Sequence, residues 1–303
     1  MKKSFWLFFI VSLLLSSCYH LNTEQTVSNE TSTSAVTESS SQIIETTVDN
    51  SIKEYDYFNS YDTEIASEVD NAILTSSSLQ DEMTQIKRIA DTYENASSNA
   101  NNQSEINYSS SWSYTVWDKE LNNLWDRISK NADEETKKNL LTAQRNWIAM
   151  KEEIILENIG SEEDSGSIYT LLKNNLLSEI TSNRCYILAN ELAKIKNENF
   201  TMPKRHVYCT YVDNQGTSNV YSSLITRKNI ENDDEAIISI HRLGKTEGTF
   251  ISNDDGSLTY TSYDENVKGI IQIDGWNKAT FEIVESKDSP FVVGETYTFD
   301  FAI

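Results

Sequence analysis

At Met202-Pro203 the apolar residues change their period, and no single kind of element accommodates both sides of the change. Before it, between Ile65 and Asn199, apolar side chains recur every three or four positions, as on one face of a helix. Ile65, Val69, Ala72 and Ile73 make a first stripe; Met83, Ile86 and Ile89 a second; Val116, Leu121, Leu124 and Ile128 a third. Leu140, Ala143, Trp147, Met150 and Ile154 make a fourth, with Asp133 placed to cap its helix. After the break at Gly160 and SEEDSGS, the last stripe runs through Ile168, Leu172, Leu176, Ile180, Ile187, Leu188, Leu192 and Ile195. The polar stretch NASSNANNQSEINYSSS reads as a loop. From His206 onward the period is two, in short runs from HVYCTYV to TYTFDFAI separated by DNQG, ENDDE, NDDG, DENV, DGWN and a loop bearing Pro290. Eight short strands joined by tight turns predict an antiparallel meander, closed as a barrel or packed as a sandwich. The fold class is therefore α+β: a small helical bundle over 65–205, then a β-domain over 206–303.

The segment ahead of the bundle has a different chemistry. Lys2 and Lys3 precede an apolar run from Phe5 to Leu15, and then Ser16-Ser17-Cys18. A basic start and a short apolar core make a secretory signal over 1–18, too short for a spanning helix of about 20 residues. Leu-Ser-Ser-Cys resembles the bacterial lipobox, which makes Cys18 the expected lipidation site and the outer face of a cell membrane the expected location. Over 19–64 the chain is rich in Ser and Thr, with nine acidic residues and one Lys, net −8. Such a segment buries too little apolar surface to offset its ordering entropy and is expected to be a disordered, self-repelling tether.

The whole chain carries a net charge of −22, from 47 acidic and 25 basic residues. That balance disfavours nucleic acid and anionic membrane as partners and is compatible with attraction to a basic protein, or with solubility alone. No catalytic constellation is legible: there is no G-x-S-x-G, H-E-x-x-H or phosphate-binding Gly loop, and no His/Cys spacing of a zinc site. No cofactor and no metal is expected, and an enzyme is the least favoured class. NDDE and SNDDGS read as hairpin turns without the alternating ligands of a calcium loop. Beyond Cys18, Cys185 and Cys209 are either bridged or separately buried; the second is preferred.

The helical part carries WDKELNNLW (Trp117 to Trp125), then AQRNWIAMKEE (Ala143 to Glu153), then GSIY and a TSNR…L ending with Thr181, Arg184 and Leu188. In order and spacing these resemble the N-terminal domain of the LprI-like lysozyme inhibitor family, over about residues 80–195. Asp118, Leu121, Asn122, Ala143, Gln144, Arg145, Trp147, Thr181 and Arg184 carry the resemblance. It implies a helical domain whose function is to bind and inhibit a lysozyme-type protein. Where family members commonly carry a disulfide, this chain has Lys151-Glu152-Glu153-Ile154-Ile155 and, opposite, the neighbourhood of Leu176, so an apolar contact is expected in its place.

Gln144 is expected at the flank of the Trp147 stripe, bonded to a helix terminus or loop. Arg145 is expected to reach Asp118, Glu120 or Asp126 on the neighbouring helix, with a partner-binding role as the alternative. For the whole protein, the alternative to lysozyme inhibition is binding of a small ligand or envelope component in a barrel pocket lined by Tyr211, Tyr221, Phe250 or Tyr260, and the contact residues for either partner are open.

Overall fold

The computed structural model describes residues 54–229 and 231–303. The signal segment, Cys18 and most of the acidic tether therefore lie outside the described residues. Seven α-helices come first: α1 (Asp62–Thr75), α2 (Leu79–Ser98), α3 (Gln103–Ser109), α4 (Ser111–Asn131), α5 (Glu134–Ile159), α6 (Glu162–Ser165) and α7 (Tyr169–Lys196). All five periodic stripes fall on helices, and their residues meet in one core with Ile65, Val69, Met83, Ile86, Trp112, Leu124, Trp147 and Leu188 buried. Local capping sets the boundaries. Ser78 accepts from Asp81 N at the start of α2, and Asp133 accepts from Thr136 N at the start of α5, as its position suggested. Gly160 at φ 73° ends α5, a conformation that costs a residue with Cβ.

Two expectations are corrected here. The polar stretch after Tyr93 is largely helical: α2 continues to Ser98, and α3 takes seven of the residues that read as loop. Its polar side chains cap and cross-link the helices. Asn102 accepts from Ser104 N and Glu105 N, and the buried hydroxyls of Ser97 and Ser109 meet at 2.8 Å. The ordered part also starts earlier than position 65. Tyr55 and Tyr57 pack against Trp112, so residues 54–61 form a strap on the bundle and α1 begins at Asp62.

The β-part has nine strands: β1 (Cys209–Asp213), β2 (Ser222–Lys228), β3 (Asp234–Ile240), β4 (Gly244–Ser252), β5 (Leu258–Ser262), β6 (Val267–Asp274), β7 (Lys278–Ser286), β8 (Thr296–Phe299) and β9 (Phe301–Ala302). Neighbours pair antiparallel in the order β8-β7-β6-β5-β4-β3-β2-β1-β9. The ninth strand arises because TYTFDFAI is interrupted at Asp300: β8 pairs β7, and β9 pairs β1. One terminal run thus bridges both edges into a nearly closed barrel, which removes the exposed edges of an open sheet. Closure requires close backbone approach. A Cβ at Gly248 would collide with the Thr261 carbonyl, and one at Gly269, where the β6–β7 register shifts, with the Phe281 ring.

The barrel interior is filled by side chains, among them Tyr211, Leu224, Ile238, Phe250, Tyr260, Ile271, Phe281 and Phe299. Tyr211, Phe250 and Tyr260, expected around a ligand pocket, are buried members of this core, and Tyr221 is not among them. Both parts belong to one compact unit, Lys53–Ile303, and the boundary between them is shared packing. Val212, Val220, Phe301 and Ile303 from the β-part pack on the helical core. Asn158 Oδ1 accepts from Thr210 Oγ1 at 3.2 Å, and Asn183 Nδ2 donates to the Ile303 carbonyl at 3.0 Å. Arg205 lies between the Tyr211 and Trp276 rings, 5.0 and 4.6 Å from their centroids, where cation–π attraction adds to the packing.

Candidate functional site

The motif residues sort into an internal brace and one outward side chain. On α4, Leu121 is in the core, while Asn122 is exposed and donates to the Asp118 carbonyl at 2.7 Å and to its carboxylate at 3.2 Å. That pair is one turn of helix apart and stiffens α4 locally. On α5, Ala143 is half-buried and Trp147 is buried, with Lys151 Nζ 4.9 Å above the Trp147 ring and 5.3 Å from the Tyr114 ring centroid. Burial pulls the Lys151 ammonium below its usual range.

Gln144 is 7% exposed, and its Oε1 accepts from Arg184 Nε on α7 at 2.7 Å. The expectation of a helix terminus or loop for Gln144 is thus corrected: its partner is the other motif residue, forty positions away. Arg184 is 4% exposed, and burial pulls its guanidinium down to about 10, still charged at neutral pH. Beside it in sequence, Thr181 is fully buried, and Thr181 Oγ1 and Arg184 Nη2 find no hydrogen-bond partner among the described residues. The short Gln side chain at 144 is what satisfies the Arg184 Nε–H inside the bundle, which explains why these two residue types occur together.

Arg145 does not reach any of the three acids expected for it. Asp118 is engaged by Asn122, Glu120 by Arg127 at 3.2 Å, and Asp126 by Lys130. The reason is direction: Gln144 turns inward, so Arg145, a hundred degrees further round the helix, turns out. It is exposed and has no ion-pair partner among the described residues. Cys185 and Cys209 are free and buried in separate cores, the Cys185 thiol donating to the Trp117 carbonyl at 3.3 Å and pushed up by burial. Ile154 is buried in the helical core, and Leu176 is partly buried and packed against that core.

Sequence reasoning missed two groupings. One is a buried acid pair on one guanidinium: Arg127 holds Glu82 through both terminal nitrogens, at 2.8 and 2.5 Å, and also reaches Glu120. Nothing in the local pattern marks it, since the three residues belong to different turns of α2 and α4. The other is the strap at 54–61, whose signal was the aromatic density of EYDYFNSY within an otherwise Ser/Thr-rich segment.

On the outside, a groove of about 540 Å³ runs between α5 and the β3–β4 hairpin, lined by Glu153, Glu157, Tyr221, His241, Arg242 and Lys245 among others. Burial holds the Glu157 carboxyl above its usual range. The acidic turns are hairpins, as read: Asp255 accepts from Ser257 N in the β4–β5 turn, and Asn229 closes the β2–β3 turn by accepting from Glu231 N and Asp233 N. No group of three or more His, Cys, Asp or Glu among the described residues is placed to hold a metal ion.

A helical brace fused to a filled, acidic barrel defines an α+β protein whose distinctive residues support a surface. Among known families, residues 94–188 match the model described as Lysozyme inhibitor LprI. The match lies within the span read from the motifs, covers α3 to most of α7, and leaves α1, most of α2 and the whole barrel outside it. No curated protein and no solved structure matches the chain.

Proposed function

We propose that this protein binds and inhibits muramidases of the lysozyme type from a lipid-anchored position on the outer face of a bacterial membrane, without catalysis of its own. The family match over 94–188 is the observation that carries the reading. Three features support it. The Gln144–Arg184 brace fixes α5 against α7 and so gives an inhibitor a rigid face to present. The β-part, residues 206–303, has 16 acidic and 7 basic residues, net −9, and lysozymes are commonly basic, so long-range attraction favours encounter. The apolar packing of Tyr211, Phe250 and Tyr260 inside the barrel favours this reading over the small-ligand alternative. The anchor rests on the Leu-Ser-Ser-Cys run ending at Cys18, and the acidic segment after it is of the composition that holds a binding module away from a surface.

The test uses the soluble chain beginning after Cys18, titrated against a basic C-type lysozyme while cell-wall lysis and direct binding are followed. Saturable inhibition is expected, weakening steeply between low and physiological salt as the Debye length shrinks to about 8 Å. Absence of binding at low salt would overturn the reading. Inhibition that ignores salt would leave the inhibitor and remove the steering argument.

A further inference from the structure

The outward face of α5 is unlike the rest of this acidic protein. Lys138, Arg145, Ile148, Glu152 and Leu156 follow one another at steps of three, four and seven, so they share one side of the helix. Ile148 and Leu156 are each 56% exposed, although Trp147, Met150 and Ile154 on the opposite side already anchor α5 in the core. Lys138 and Arg145, with the half-buried Lys137 at the edge, have no ion-pair partner among the described residues. Two acids share the stripe: Glu134, one turn before Lys138, and Glu152, which lies 3.8 Å from Lys173 of α7. A chain with 47 acids and 25 bases thus keeps two cations and two exposed aliphatic side chains on one ridge, with neither cation held by a carboxylate among the described residues.

We infer that this ridge is the part of the protein that enters the substrate cleft of the muramidase, with Arg145 opposite the cleft carboxylates; the inference rests on the function proposed above. Glycoside hydrolases work with two carboxyl groups facing across a cleft, about 5–9.5 Å apart according to mechanism. A guanidinium is the side chain that pairs such groups with two parallel hydrogen bonds, and it keeps its charge on desolvation. The ridge has the shape as well as the charge: from Lys138 to Leu156 it extends ~27 Å along a rod ~10–12 Å wide, the form of an insert for an elongated groove. Ile148 and Leu156 supply the apolar contact that a sugar-binding cleft offers to the faces of its substrate. The two electrostatic scales are complementary. A muramidase that is basic overall and acidic in its cleft meets a protein that is acidic overall and presents the unpaired Arg145 midway along its ridge. A second copy of this chain is a poorer occupant, because two copies that each carry a net charge of −22 repel one another.

The sign of a charge reversal separates the ridge from general attraction. Arg145→Glu makes the chain more acidic, so steering alone predicts tighter binding to a basic lysozyme, whereas the ridge predicts at least a tenfold rise in Kd. Lys268→Glu, on β6 beside Glu285, makes the same charge change away from the ridge and is expected to bind as well as wild type or better. Ile148→Asp should act in the same direction as Arg145→Glu, and both sites are exposed, so melting temperatures should match wild type. Tri-N-acetylchitotriose, which fills the cleft, should compete with the wild-type chain. If Arg145→Glu binds within twofold of Lys268→Glu, or the trisaccharide does not compete, the ridge assignment is overturned while the inhibitor reading stands. If wild type itself does not bind, both fall. A wild-type dimer in sedimentation that Arg145→Glu dissolves would assign the ridge to self-association and overturn its assignment to the cleft.

Discussion

Glu120 lies on the inner side of α4 with no exposed surface, and its neighbours decide its charge. Arg127 reaches its Oε1 at 3.2 Å but holds Glu82 of α2 more closely, and Oε2 has no hydrogen-bond partner among the described residues. From α7 the buried Cys185 faces the same region, its thiol held neutral. Burial first, then the Glu82 charge, holds the Glu120 carboxyl well above the usual range, and Arg127 offsets this only in part. The folded chain therefore keeps a proton at Glu120 that the unfolded chain, at about 4.3, has released. With fewer protons bound in the unfolded state, stability falls as pH rises from that unfolded value through the folded one, and the loss is complete above it. Glu120→Gln fixes the uncharged state. It should be more stable than wild type by about 1 kcal/mol at pH 8, with the difference closing toward pH 4, in urea midpoints taken across that range. Equal stability at every pH would mean that Glu120 is ionised in the fold.

At the scale of elements, the strap and Trp112 do what no single helix does: they close the N-terminal end of the bundle. Trp112 is fully buried, donates through Nε1 to the Asn59 carbonyl at 2.9 Å, and is stacked by Tyr57 with ring centroids 6.0 Å apart. Tyr55, Tyr61 and Tyr93 surround the same ring at 5.6, 5.1 and 6.1 Å. Trp112→Ala should cost about 3–5 kcal/mol through the cavity it opens, and it should expose residues 54–61 to proteolysis. Trp112→Phe keeps the ring packing and loses the hydrogen bond, so it should cost only about 1 kcal/mol. Equal losses in the two variants, read from urea midpoints, would show that the hydrogen bond rather than the aromatic packing holds the strap.

The same elements show what a sequence discloses. The stripes of α1, α2, α4, α5 and α7 were legible because burial imposes a 3.6-residue period along one chain segment. The strap was not, since its aromatics obey no period and find Trp112 some fifty positions away. α3 was hidden because its seven residues are held by the Asn102 cap and by serine hydroxyls, which out of context signal a loop. At the motif, the positions of Gln144, Arg145 and Arg184 were legible and their partners were not. A pairing between α5 and α7 is a fact of packing, which decides whether a side chain faces in or out only after the helices have docked.

At the scale of the whole molecule, the question is whether helices and barrel act as one body. The family match ends inside α7, yet the barrel is docked on the same helices by side chains that no local pattern requires. Asn158 sits near the end of α5, its amide nitrogen bonded to the Ile154 carbonyl at 2.8 Å. Its Oδ1 accepts from Thr210 of β1, and its own carbonyl accepts from Arg227 of β2. Asn183 of α7 holds the Ile303 carbonyl, and Glu153 of α5 accepts from Val220 N. These bonds surround the apolar contact of Val212 and Ile303 with the helical core, so separating the two parts would expose both a hydrophobic patch and several unpaired buried groups. One cooperative unfolding transition is therefore expected for wild type, with helical and strand signals in far-UV circular dichroism changing together. Asn158→Ala combined with Asn183→Ala removes three side-chain bonds across or beside the boundary, each worth about 0.5–1.5 kcal/mol. Amide hydrogen exchange should then resolve two free energies of opening, one for β1–β9 and one for α1–α7, where wild type shows a common value. Two separate values already present in wild type would mean that the barrel is a module tethered to the helices, and its acidic surface would then reach a partner independently of the α5 ridge.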